Sequence, residues 1–180
     1  PVPPLLANER ESGATLTHVI NHSPDGLKLD TTVASVIRAA WALVLGSQTG
    51  SDDVVFGETL SGRDVGLPGI EQVLGPTLTT VPQCVHIDRD VTVAQFINKL
   101  HESYVEMIPH QHAGLQKIRR LGDSTALVCD FRNLLVIQTA EGTSVDTQVM
   151  SLVDDNVDSE NFFTYPWVVE CAIEPQSLKL

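Results

Sequence analysis

Residues 32–82 read TVASVIRAAWALVLGSQTGSDDVVFGETLSGRDVGLPGIEQVLGPTLTTVP. Within this stretch Val33, Val36, Ile37, Ala40, Trp41, Val44 and Leu45 recur at steps of three and four, which places them on one face of a helix over residues 32–47. Gly46 and Gly50 mark its end. DVVFGETL (53–60) then reads as a strand, residues 61–71 as a loop with three glycines and a proline, and residues 75–87 as a return to extended structure. Helix, strand, glycine-rich loop and strand in that order are the signature of an α/β unit.

Working outward, ATLTHVIN (14–21) is a short β-branched strand, followed by the turn cluster NHSPDG (21–26). A second helix opens at Thr92, whose hydroxyl caps it while Gln95 supplies the reciprocal half of a capping box. Val93, Phe96, Ile97, Leu100, Tyr104, Met107 and Ile108 form its apolar face, and Pro109 closes it. A shorter helix is expected over residues 113–121. NLLVIQT (133–139) is a continuous apolar run suited to a buried central strand, and YPWVVECAI (165–173) is the last clear strand. No internal repeat interrupts the series. The expected class is α/β, a mixed sheet covered by helices.

Composition narrows the function. With 180 residues and 42% apolar content, the chain is long enough for one domain or one large lobe of a bigger one. A net charge of −12 argues against a nucleic-acid partner, which clustered Lys and Arg would have to hold. Six acids (Glu141, Asp146, Asp154, Asp155, Asp158 and Glu160) fall within 140–161 without a Lys or Arg, and read as a solvated acidic loop. Residues 1–13 are Pro-rich and then polar, a linker or cut edge. They carry acids where a signal peptide has its basic region. No apolar run is long enough to span a bilayer. Cys84, Cys129 and Cys171 are odd in number and far apart, which suits small thiols in a reducing compartment. The expectation is a soluble cytoplasmic protein.

Three histidine patterns invite a chemical reading. HIDRD (86–90) satisfies HxxxD formally, yet Val85 precedes it and Val91 follows it, and it sits where a strand runs into the Thr92 cap, as a surface turn does. HSPDG (22–26) is a turn. His110 and His112 alternate as two metal ligands would, with Glu106 the nearest further donor, but no third ligand follows at a recognisable spacing. No phosphate-binding loop, dinucleotide fingerprint or nucleophile elbow is present. From the residues alone no reaction is identified.

Four landmarks in register carry a family resemblance across residues 14–180. The first is IRAAWALVL (37–45) with GSDDVVFG (50–57) and SGR (61–63). GPTLTTVP (75–82) resembles a GxFVNT motif, HQHAGLQ (110–116) an HQDxPFE motif, and DFRNL (130–134) an RDxSRN motif. Together they are similar to the condensation domains of fungal non-ribosomal peptide synthetases. The resemblance implies a lobe of the chloramphenicol-acetyltransferase-like fold, in which two lobes flank a cleft. There a carrier-bound amine attacks a carrier-bound thioester, forming an amide, or a macrocycle when the domain is terminal.

In that family the catalytic histidine belongs to an HHxxxDG motif of the N-terminal lobe, which this sequence lacks. The chain therefore resembles the C-terminal lobe, over residues 14–180, stopping short of the final helix of a complete domain. The resemblance implies that this lobe supplies cleft and tunnel walls and no catalytic residue. It implies no directly bound cofactor and no metal, with substrates presented on carrier-protein phosphopantetheine. Implied partners are the N-terminal lobe with HHxxxDG, peptidyl carrier proteins and a neighbouring adenylation domain. Thr77 and Thr79, on one side of an extended segment, are expected to line the cleft, with Gly75, Gln111 and His112 beside them. Thr79 stands where the motif has Asn, Cys84 where an Arg often follows, and His112 where the third motif has Asp. Gly57, Gly62 and Gly75 are also read as turn and strand-packing residues, and Arg63 with Asp64 as a local surface pair. An epimerisation-domain lobe shares these motifs. A non-catalytic carrier-docking module is the reading of another class, with the acidic loop as its contact, although an acidic carrier would repel it.

Overall fold

In the computed structural model, which describes residues 18–21, 31–139, 165–174 and 177–180, the apolar stripe of residues 33–45 forms helix α1 (Val33–Thr49). The Thr32 hydroxyl accepts the Ser35 N–H and starts it, and Gly50, in the left-handed region at φ 66°, ends it by donating to Gly46 O. Gly46 is a correction to the expected terminus. It stays inside the helix, where any Cβ would collide with the Ile87 side chain.

The chain continues as β2 (Asp53–Leu60) and β3 (Thr79–His86), which pair antiparallel from Asp53↔His86 to Leu60↔Thr79. Helix α2 (Val93–Met107) opens on the anticipated box, the Thr92 hydroxyl and Gln95 side chain each satisfying the other residue's backbone N–H. α2 ends at Met107, just before Pro109 as expected, and the chain goes on as a tighter turn. Pro109 sits in the first turn of this 3-10 segment (Ile108–Ala113), where a missing N–H does no harm. The short helix expected over residues 113–121 is α3 (Leu115–Arg119), and a further one that was not expected, α4 (Asp123–Val128), follows Gly122. Strands β4 (Asn133–Thr139) and β5 (Trp167–Ile173) follow. β1 (Val19–Asn21) and β6 (Ser177–Lys179) complete the sheet, the latter too short to leave a period in the sequence. The expected linker (1–13), most of the first turn cluster (22–26) and the acidic loop (140–161) lie outside the described residues.

The six strands run in the order β1-β6-β5-β4-β2-β3, with parallel pairs β2/β4 and β4/β5 and antiparallel pairs elsewhere. This is the expected mixed sheet. One face meets α1 and α2 through Ile37, Trp41, Phe56, Phe96, Leu100 and Leu135, among others. Phe56 and Leu135 are fully buried, each contributing about 1.5–3 kcal/mol of apolar transfer. Trp41 meets Trp167 edge-to-face at 5.0 Å. On the opposite face Gly57 lies under the Phe131 ring, which stacks on Tyr165 at 5.4 Å and leaves no room for a side chain at 57.

A charged pair sits inside the helix-covered face. Arg38 Nε donates to Glu58 Oε1 at 2.7 Å, with both residues buried. Gln83 Nε2 donates to Glu58 Oε2 at 2.9 Å, and the Tyr104 ring covers the guanidinium at 3.7 Å. Burial raises the Glu58 pKa, and Arg38 followed by Gln83 opposes that rise. A carboxyl raised in the folded state binds its proton more tightly there, so its contribution to stability is present at low pH and is lost as pH rises through the folded value. Removing Arg38 removes the opposing pull. Arg38→Met is therefore expected to cost about 3–5 kcal/mol at neutral pH. The loss should shrink on acidification, as Glu58 takes up a proton. Urea unfolding at pH 5 and pH 7.5 checks this; a loss that grows on acidification contradicts it.

Candidate functional site

β2 ends at Leu60, and the three residues beyond it organise the region where the expected site residues lie. Gly62 is left-handed at φ 71° and packed so closely on the Thr77 backbone carbonyl that a Cβ would overlap it. The Thr77 hydroxyl donates to Ser61 O at 2.7 Å. His112 shares a 2.9 Å hydrogen bond with Gly62 O through Nε2, and because a carbonyl only accepts, the proton is on Nε2. Thr79 donates to Gln111 O at 2.8 Å. Three chain segments, 61–63, 75–79 and 110–112, are thus laced together by side chain to backbone bonds.

These contacts decide what the expected residues do. The Thr77 hydroxyl and His112 Nε2 are taken up by the lacing, and Gly75 sits in the loop that precedes β3, at φ 136°. Gln111 is 1% exposed, and neither side-chain amide atom has a partner among the described residues. Of the five, Thr79 alone lines an open groove of about 570 Å³. Residues 78–80 form one wall, and residues 113–117 with Arg120 form the other. Leu78, Ala113 and Leu115 make it mostly apolar, while Lys117 and Arg120 bring two exposed cations and no carboxylate lines it.

Lys117 and Arg120, three apart, share the groove side of the α3 turn. Arg119 points away, donating to Cys129 O at 3.2 Å and lying 3.4 Å from Asp130. Sequence reasoning missed both groove cations. The signal was there: KIRR (117–120) packs three cations into four positions of a chain carrying −12 overall.

Two of the histidine patterns fall within the described residues, and HSPDG (22–26) lies outside them. His86 Nδ1 lies 2.7 Å from Asp53 across the strand pair, and Asp90 N–H donates to Asp88, as the turn reading expects. His110 and His112 belong to no group of three or more metal-binding side chains among the described residues. Burial pushes the Cys171 thiol up to about 11, with Glu170 adding to it, and raises that of Cys84, with Cys129 adding to it. Among the described residues no helix is long and apolar enough to cross a membrane.

The sequence model described as Condensation domain matches residues 28–159, more than half of the chain. The chain belongs to the condensation-domain family. Nonribosomal peptide synthetase 4 of Gibberella zeae is 53% identical over 175 residues, covering 97% of this chain and 2% of that protein. Nonribosomal peptide synthetase 1 of Aspergillus fumigatus is 43% identical over 152 residues, covering 84% of this chain and again 2% of the relative. In three dimensions the domain resembles the crystal structure of CT, with a TM-score of 0.66 and 24% identity over 93% of this chain and 39% of that one. It also resembles the first condensation domain of the CDA synthetase, with a TM-score of 0.58 at 14% identity, over 94% of this chain and 40% of that one. At those identities the likeness shows the fold. The chain spans a small fraction of the curated relatives and about two fifths of the solved structures.

Gly62 is the position where this region tolerates least. Gly62→Ala adds left-handed strain to a collision with the Thr77 carbonyl and is expected to destabilise the domain by about 1–3 kcal/mol. Denaturant unfolding measures it, and a variant as stable as the parent contradicts the packing described.

Proposed function

We propose that this condensation domain works within a nonribosomal peptide synthetase to join carrier-bound aminoacyl or peptidyl groups, and that its groove receives the phosphopantetheine arm of a carrier protein. The observation carrying this reading is the pairing of an apolar groove with Lys117 and Arg120 on a chain that is otherwise strongly acidic. A phosphopantetheine arm has that profile, an anionic phosphodiester followed by a slender, largely neutral chain. The two cations would hold the phosphate, and residues 78–80 and 113–115 would flank the chain. Family membership and the names of the relatives support the wider reaction.

In that reaction the acceptor amine attacks the donor thioester carbonyl. A C–N bond forms, the C–S bond breaks, the amine loses a proton and the carrier thiol is regenerated. This chain's residues bind and orient in that scheme. Leu78, Thr79 and Thr80 form one wall of the groove, with the Thr79 hydroxyl tied to Gln111 O and the Thr80 hydroxyl to Thr59, while Thr77 and His112 hold the wall in place from behind. The general base belongs to an HHxxxDG motif in the partner lobe. Where the domain is terminal, an internal nucleophile would replace the acceptor amine and give a macrocycle. Carrier proteins, the N-terminal lobe and an adenylation domain are the partners this reading requires.

Reversing both groove charges in the parent synthetase (Lys117→Glu with Arg120→Glu) is expected to raise the apparent KM for the carrier by roughly tenfold, as losing two exposed ion contacts would. It should leave kcat nearly unchanged, because the cations lie away from the reacting bond. Steady-state kinetics with carrier supplied in trans reads both constants, and an unchanged KM removes the groove assignment. The 180-residue chain alone, incubated with both loaded carriers, is expected to yield no amide product by mass spectrometry. Product from it would place the base within this lobe.

A further inference from the structure

We propose that Arg63 is a positioning residue: its guanidinium clamps residues 61–75 into a preformed apolar ledge and so fixes the 78–80 wall of the groove. Arg63 Nη1 donates to Ile70 O at 2.9 Å and Glu71 O at 3.4 Å, and Nη2 donates to Val73 O at 3.1 Å and Gly75 O at 3.4 Å. All four acceptors are backbone carbonyls of the same loop. Among the described residues no carboxylate pairs with Arg63, so the expected surface pair with Asp64 is not formed.

The loop has little else to hold it. Residues 66–69 and 71–76 are exposed, with Leu74 100% and Leu67 62% open to solvent. An exposed loop with no apolar burial keeps one shape only if its backbone polar groups are tied down. Arg63 supplies those ties around the short 3-10 turn Ile70–Gln72, between the left-handed glycines 69 and 75. A planar fork with several N–H donors reaches carbonyls within such a turn and beyond it at once, which a single ammonium group does not.

The consequence reaches the groove through the chain itself. Gly75, held by Arg63, is three residues before Leu78, and the Thr77 to Ser61 bond closes the base of the loop. With the clamp in place, Leu78 enters the groove wall while remaining 68% exposed. This second step rests on the groove's proposed role as the seat of the carrier arm; the clamp itself does not.

Two substitutions in the condensation domain of the parent synthetase test it, Arg63→Met and Arg63→Lys. Hydrogen exchange followed by mass spectrometry should show the turn amides of Ile70, Gln72 and Val73, which bond to Leu67 O, Gly69 O and Ile70 O, exchanging about tenfold faster in both variants. Protection of β2 and α1 should stay unchanged. The apparent KM for the carrier should rise several-fold in both, with kcat held within about twofold. Unchanged turn protection in the methionine variant overturns the clamp, and a lysine variant that keeps the parent's protection overturns the need for the guanidinium fork. A loosened loop with an unchanged KM overturns the link to the groove wall. If instead the Lys117 and Arg120 reversal leaves KM unchanged while the loop loosens in the Arg63 variants, the groove reading fails and the clamp stands.

Discussion

Arg38 and Glu58 form the one charged pair buried among the described residues, and four elements converge on it. Arg38 comes from α1, Glu58 from the interior strand β2, Gln83 from β3, and Tyr104 from α2 covers the guanidinium. Two ions withdrawn from water are tolerated only when every lone pair and donor is aimed, so the pair fixes how α1 and α2 cross the sheet far more tightly than apolar contact alone. Apolar residues such as Phe56 and Leu135 supply the bulk of the burial. The ion pair makes one arrangement of them much better than its neighbours.

That constraint propagates toward the groove. Glu58 is two residues from the end of β2, and the chain leaves the strand through Ser61, Gly62 and Arg63. Each of those residues is used: Ser61 accepts from Thr77, Gly62 accepts from His112 and packs on Thr77, and Arg63 gathers the loop carbonyls. The groove wall at residues 78–80 is therefore anchored to the core through a short, continuous series of bonds. The other wall, residues 113–117 with Arg120, follows the 3-10 segment that carries Gln111 and His112 against the start of β3. Walls held in this way suit the binding role proposed for the groove.

Much of the fold was legible because its elements obey simple periods. β2 and β4 lie where their apolar runs lie, and the Thr92 capping box is visible in four letters. What the sequence hid was set by tertiary contact. Gly46 looked like a helix end and is a packing glycine, because its role depends on the distant Ile87. The six-residue α4 and the three-residue β6 are too short for any period to register. The site was less legible than the fold. Motif resemblance led to residues 75–79 and 110–112, and the structure uses most of those to brace the groove rather than to face it. Lys117 and Arg120 were overlooked, and Arg63 was read as half of a surface pair, for one reason: a charge on an acidic surface reads as solvated until its neighbours in space are known.

The most direct measurement of the groove's role is where a carrier's arm lies on this domain. A carrier protein bearing a phosphopantetheine analogue with a photoreactive diazirine, irradiated with the parent synthetase and mapped by peptide mass spectrometry, reads that position. An arm seated between the two walls predicts cross-links within residues 78–80 and 113–117. Labelling confined to other surfaces of the lobe, with the groove unmarked, would contradict it.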